Sequence, residues 1–137
     1  MNLELNAQMV KLSRRIIQII GICVSMIGGI VLVGWIYEIE ILKNISSGLV
    51  TMKPNTAIAF IFSGFALWLG AVEVPSRTRI LWMRVCAAVP TLIGALTLAE
   101  YLLALDLGID QLLFVDSVSL NNSYPGRMSI VTALSFS

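Results

Sequence analysis

Between Ile16 and Tyr37 the chain runs for 22 consecutive residues without a charge (IIQIIGICVSMIGGIVLVGWIY). Wound as a helix at 1.5 Å per residue, such a run reaches across a hydrocarbon core of ~30 Å. Two further apolar stretches follow. Pro54–Val72 is an uncharged run of 19 residues, and Val85–Leu105 is interrupted only by Glu100. A fourth stretch begins near Met128 and reaches Ser137. It is shorter than the ~17–25 residues that a crossing takes. None of these runs carries a polar stripe at helical period, which argues against core helices of a soluble bundle.

The expected fold is therefore an all-α integral membrane helical bundle. It has three complete transmembrane helices (16–37, 54–72 and 85–105) and an incomplete fourth (128–137). A cytoplasmic N-terminal segment, 1–15, precedes one helical membrane domain, 16–137. Outer loops fall at 38–53 and 106–127, and an inner loop at 73–84. Composition agrees. Hydrophobic residues make up 58% and charged residues 12% of the 137, with a mean hydropathy of +0.91. Soluble domains carry about twice that share of charge.

The first run follows Lys11, Arg14 and Arg15, as a secretory signal would. It exceeds the usual signal core of ~7–15 residues, and no small-x-small cleavage site follows Tyr37. An uncleaved signal anchor is expected. Arg77, Arg79 and Arg84 lie between the second and third runs. With the three basic residues near the start, they put the N-terminus in the cytoplasm of a multi-pass cell (inner) membrane protein. The opposite side carries Lys43, Lys53 and Arg127 among Glu38, Glu40, Asp106, Asp110 and Asp116. Trp35, Tyr37 and Tyr101 then fall at the outer interface, and Trp68 and Trp82 at the inner one.

A net charge of +1 gives no support to nucleic-acid binding. The absence of histidine removes the commonest general base, the Ser-His-Asp triad, haem ligation by His and a histidine phosphoacceptor. No G-x-S-x-G run is present. Neither catalysis nor a cofactor or metal site is expected. Cys23 and Cys86 lie in or beside apolar runs without a pairing pattern, and read as small buried hydrophobes.

Small residues recur four apart in each run: Gly21, Ser25 and Gly29; Ala59 with Ser63, and Ala66 with Gly70; Ala87, Thr91, Ala95 and Ala99. Such rows share one helix face and let backbones approach closely in lipid, so helix packing is expected there. Pro90 falls early in the third run, where it kinks the helix or marks its first turns.

The chain also repeats itself. Met52-Lys-Pro-Asn-Thr-Ala-Ile-Ala-Phe60 aligns without gaps on Met128-Ser-Ile-Val-Thr-Ala-Leu-Ser-Phe136. Met, Thr, Ala and Phe are identical at the first, fifth, sixth and ninth positions. Each copy stands where the chain re-enters the membrane, so the implied unit is a helical hairpin. Pro54 suits a first helical turn, with Asn55 and Thr56 able to bond free N–H groups there. In the second copy Ser129 can act as the cap, after the turn signal Tyr124-Pro125-Gly126.

The stretches MKPNTAIAFIFSGFALWLGA, LAEYLLALDLGIDQLLF and PGRMSIVTALSF resemble the N-terminal multi-helix membrane region that precedes PAS, histidine-kinase or GGDEF domains in prokaryotic signalling proteins. The resemblance covers roughly residues 34–136. The family's usual PGRMSPNTAL is replaced at Ile130 and Val131. It implies a sensory or anchoring region whose helices pass into a cytoplasmic signalling domain in a full-length relative. On that reading the chain is truncated before its output domain.

Glu100 is the sharpest single residue, a carboxylate inside an apolar run. At mid-bilayer it would cost ~2.5–3.5 kcal/mol. Two readings stand: it ends the helix with Tyr101 at the headgroups, or it lines an outer-leaflet ligand site with Tyr101, Trp35 and Tyr37 near Glu38. In the outer loop, Ile109, Leu112 and Leu113 suit a short interfacial helix. Asp106, Asp110 and Asp116 lack calcium-loop spacing and read as a solvated face. Asn44-Ile-Ser46 and Asn121-Asn-Ser123 fit the glycosylation sequon.

The expected role is a membrane-embedded sensory or anchoring module of a signal-transduction protein. Its partners would be the lipid bilayer and either further copies in a homo-oligomer or partner membrane helices. The alternative is a small stand-alone membrane protein acting as a transporter or complex subunit.

Overall fold

A computed structural model describes residues 2–43, 52–103 and 127–137, and these are all-helical. Helix α1 spans Asn2–Ile36. The segment 1–15, expected to stand apart, is thus continuous with the first apolar run from Asn2 onward. No Gly or Pro interrupts it before Gly21, and nothing else in the segment breaks a helix. Helix α1 ends in a left-handed closure. Glu38 has φ 55°, and the Ile39 N–H donates to the Gly34 carbonyl at 2.8 Å. One further turn, α2, covers Glu40–Lys43.

Helix α3 spans Pro54–Gly70, 17 residues with Pro54 in its first turn. Extended Lys53 holds the cap position, and its side chain makes no capping bond. Asn55 and Thr56 follow in the first turn and are buried rather than facing water. The far end closes with the Ala71 N–H on the Leu67 carbonyl at 3.1 Å. Pro75 then bars Val74 from helical geometry.

Helix α4 spans Arg77–Leu103, 27 residues, and starts well before the expected Val85. Ser76 begins it: its Oγ accepts from the Arg79 N–H at 3.3 Å, and its carbonyl from the Ile80 N–H at 3.0 Å. Arg77, Arg79 and Arg84 therefore sit on helix rather than loop. Pro90 lies in the interior of α4, not in its first turns. Helix α5 covers Ile130–Phe136, and the Ser129 Oγ caps it by accepting from the Thr132 N–H at 3.1 Å.

Among the described residues, α1 and α4 are long and apolar enough to cross a membrane, while α3 is apolar but shorter. Two candidate spans thus stand where three complete ones were expected. The shortfall in α3 comes from Pro54 at one end and the Val74-Pro75 pair at the other. Large apolar side chains, among them Ile19, Met26, Ile30, Leu81, Trp82 and Leu92, stand exposed along the helices. A soluble monomer seldom displays so much apolar surface.

Helix α3 packs on both α1 and α4, and α5 packs on α4. The α1–α3 pair is antiparallel. Gly21 meets Gly64, Gly28 meets Ala57, and the Ser25 Oγ donates to the Ile61 carbonyl at 3.1 Å. A Cβ added to Gly21 would lie 2.6 Å from the Gly64 carbonyl oxygen, so the two backbones touch. Gln18 Nε2 ties the far end to the Ala71 carbonyl at 3.2 Å.

The second pair repeats the first. Gly94 meets Ala133 as Gly28 meets Ala57, and each alanine is fully buried. Trp35 Nε1 donates to the Met52 carbonyl at 2.9 Å, and the Tyr101 hydroxyl to the Met128 carbonyl at 3.0 Å. These contacts align α1 with α4 at a constant offset, joining Gly21 to Ala87, Ser25 to Thr91, Gly28 to Gly94 and Trp35 to Tyr101. The hairpin read from the short repeat thus extends to the preceding helices.

Cys86 is buried, whereas Cys23 is exposed on α1, on a side that no other described helix covers. The interfacial helix with Ile109, Leu112 and Leu113, the aspartates 106, 110 and 116, both sequons and the turn 124–126 lie outside the described residues.

Candidate functional site: a buried ion pair at the helix ends

Glu100 stands three residues before the end of α4 and is 0% exposed. Arg127 precedes α5, and its Nε lies 3.5 Å from Glu100 Oε2. The Arg127 side chain is only 2% exposed. Its guanidinium carbon also lies 5.1 Å from the centre of the Tyr101 ring, within cation–π range. Tyr101 in turn holds the Met128 carbonyl. One short stretch of α4 therefore grips both the charge and the backbone of the segment leading into α5. The local cause is the helical step of ~100° per residue. It sends Glu100 and Tyr101 to adjacent faces, one under Arg127 and one beside it.

Withdrawing two charges from water costs several kcal/mol each, and only a close partner offsets it. Removing one partner of such a pair costs ~3–5 kcal/mol. Around the pair the polar burial continues. Lys53, Asn55, Thr56 and Thr97 are all buried, and Lys53 and Asn55 have partners of their own. The first turn of α3 and the last turns of α4, with Lys53 and Arg127 beside them, thus hold the buried polar residues among those described.

Of the residues proposed from sequence as an outer-leaflet site, Glu100 and Tyr101 come together through Arg127. Trp35 is buried but engaged with Met52. Tyr37 is 71% exposed in the turn after α1. Of the residues proposed for packing, Gly21 and Ser25 lie in the α1–α3 contact, Ala59 is fully buried and Ser63 is half-buried. Gly29 has nothing within 4 Å, and the close contact is made at Gly28. A row spaced strictly by four drifts around a helix of 3.6 residues per turn, so a contact line alternates steps of four and three. Ala87, Thr91 and Ala95 are exposed on α4.

Arg127 and Lys53 are the residues that sequence reasoning left out. The available signal was a lone cation at the start of the first repeat copy and another just ahead of the second, set against a lone acid in the third run. Intramembrane ionisable groups generally pair with one another. At the opposite end of α4, the Arg79 guanidinium carbon lies 5.3 Å from the centre of the Trp68 ring and joins α4 to the end of α3.

Comparison with protein-family models, with curated proteins and with solved structures gives no match.

Proposed function

We propose that the chain is a membrane-embedded sensory or anchoring module of a signal-transduction protein, with α3 as a third span and the N-terminus in the cytoplasm. Support for the membrane setting comes from the length of α1 and α4 and from the apolar side chains exposed along them. The sequence resemblance to membrane regions of signalling proteins supports the role.

The observation that carries the proposal is the Glu100–Arg127 pair. It clamps the two ends of the segment 104–126 to one helix end, together with Tyr101 and Met128. A ligand or strain acting on that segment works on α4 and α5 as one unit. Helix shifts of 1–2 Å are a known currency of such switches. Helix α4 runs on to Arg77, so a shift at Glu100 is delivered at the opposite end of the bundle.

The test adds after Ser137 an apolar segment long enough to complete a fourth crossing, fuses an output enzyme behind it on the cytoplasmic side, and compares the parent with Glu100→Gln at equal membrane abundance. A sensory module gives an output changed at least twofold. Unchanged output, with both forms membrane-bound, reduces the role to anchoring. Loss of the parent fusion from the membrane fraction overturns the reading altogether.

A further inference from the structure

A groove of about 570 Å³ runs along α4 from the end of α5, walled by α3 and lined chiefly by Ser63, Leu67, Ala87, Pro90, Thr91 and Phe136. The internal repeat identifies what fits it. In the first hairpin, the equivalents of Ala87 and Thr91 are Gly21 and Ser25, and both are covered by the second half of α3. Gly64 lies directly on them, and Ser25 donates across the contact to Ile61. In the second hairpin Ala87 and Thr91 are exposed, and Thr91 turns its hydroxyl back onto its own Ala87 carbonyl at 3.1 Å. Helix α5 covers α4 only as far as Gly94, whose added Cβ would lie 3.1 Å from the Ser137 nitrogen. Ser137 matches Ile61 in the repeat. The small-residue face therefore continues, uncovered, from an interface already formed.

We propose that this groove is a docking site for an apolar helix lying in line with α5 and antiparallel to α4, with a small residue opposite Ala87 and Thr91. The occupant has the chemistry of Phe62–Gly70, the segment that fills the matching place on α1. With the occupant seated, the Thr91 hydroxyl turns to the Ser137 carbonyl, as that of Ser25 turns to the carbonyl of Ile61. Ala87 carries a Cβ where Gly21 has none, and Thr91 a methyl that Ser25 lacks, so the occupant sits slightly farther from α4 than α3 sits from α1, with the α3 wall supplying apolar area from Leu67. Packing of this kind needs no water-driven burial, so it operates in lipid or detergent alike.

The test extends the chain after Ser137 with the nine residues FSGFALWLG, copied from Phe62–Gly70, and compares it with a nine-leucine extension. Both carry Ala87→Cys, a cysteine at the sixth added position, which corresponds to Leu67 beside Gly21, and Cys23→Ser with Cys86→Ala. In detergent, the copied extension is expected to form the intramolecular disulfide at least tenfold faster than the leucine one. It is also expected to slow maleimide labelling of a separate Ala87→Cys variant at least tenfold. Equal rates for the two extensions, with labelling unchanged, overturn the proposal. So does an Ala87-linked dimer of the unextended Ala87→Cys variant, which would make a second copy the occupant. Protection of the unextended Ala87→Cys that vanishes on delipidation would assign the groove to an acyl chain, and overturns it too.

Discussion

Arg127 and Glu100 lie 3.5 Å apart, Nε to Oε2, with both side chains withdrawn from the surface at the junction of α4 and α5. Burial makes each charge depend on close partners, of which this pair is one. Glu100→Gln and Arg127→Gln are each expected to lower stability by ~3–5 kcal/mol. The double change Glu100→Leu/Arg127→Met removes both charges and should recover most of that loss. Thermal midpoints in one detergent provide the measurement. Single variants that melt with the parent would mean that water or lipid headgroups already solvate the pair.

The aromatic latches are smaller effects. Tyr101→Phe removes one hydroxyl and its bond to Met128 while keeping the ring over which Arg127 sits. The expected cost is ~0.5–1.5 kcal/mol. Trp35→Phe loses the equivalent bond to Met52 and also some packing, so it should cost more. Chemical or thermal unfolding in detergent ranks the two.

Gly28 and Gly29 are neighbours with opposite predictions. A methyl on Gly28 meets the Ala57 carbonyl oxygen and the Ile61 side chain, whereas one on Gly29 meets open space. Gly28→Ala should therefore destabilise the α1–α3 hairpin. Gly29→Ala should stabilise by up to ~1 kcal/mol, since alanine favours helix over glycine. Melting of the two single variants in parallel decides it, and the same sign for both would refute the register.

The end of α1 offers a backbone test. Glu38 has φ 55°, a left-handed geometry that costs an L-residue ~1–2 kcal/mol. Glycine adopts it freely but loses more entropy on folding. Glu38→Gly should raise the thermal midpoint slightly, whereas Glu38→Val should lower it.

Topology is checked by reporter fusions at Glu4, Ser47, Ser76 and Ser119. The expected order is inside, outside, inside, outside. Agreement would make α3 a full span despite its 17 residues, a mismatch that bilayers absorb at modest cost.

Much of the helical plan was legible in the chain itself. Uncharged runs reveal helices because apolar length is a one-dimensional property. Pro54 in a first turn and Ser129 as a cap follow from backbone chemistry that is local in sequence. Even the hairpin repeat surfaced through Met52 and Met128. Other starts were misplaced for an equally local reason. Reading boundaries from charge put the third helix at Val85, yet arginine is a good helix former and Ser76 caps α4 ahead of three of them.

What no linear reading supplied was which faces meet. Gly28 rather than Gly29 takes the close contact, because the meeting line of two helices depends on their mutual rotation. Glu100 could be read as a helix end or a ligand group until Arg127, distant in sequence, was brought beside it. The equivalence of Trp35 with Tyr101 rests on hydrogen bonds to two methionine carbonyls, with no shared residue type to announce it. Apolar length and caps are written along the chain; pairing of charges and seating of glycines arise only when separate helices are pressed together.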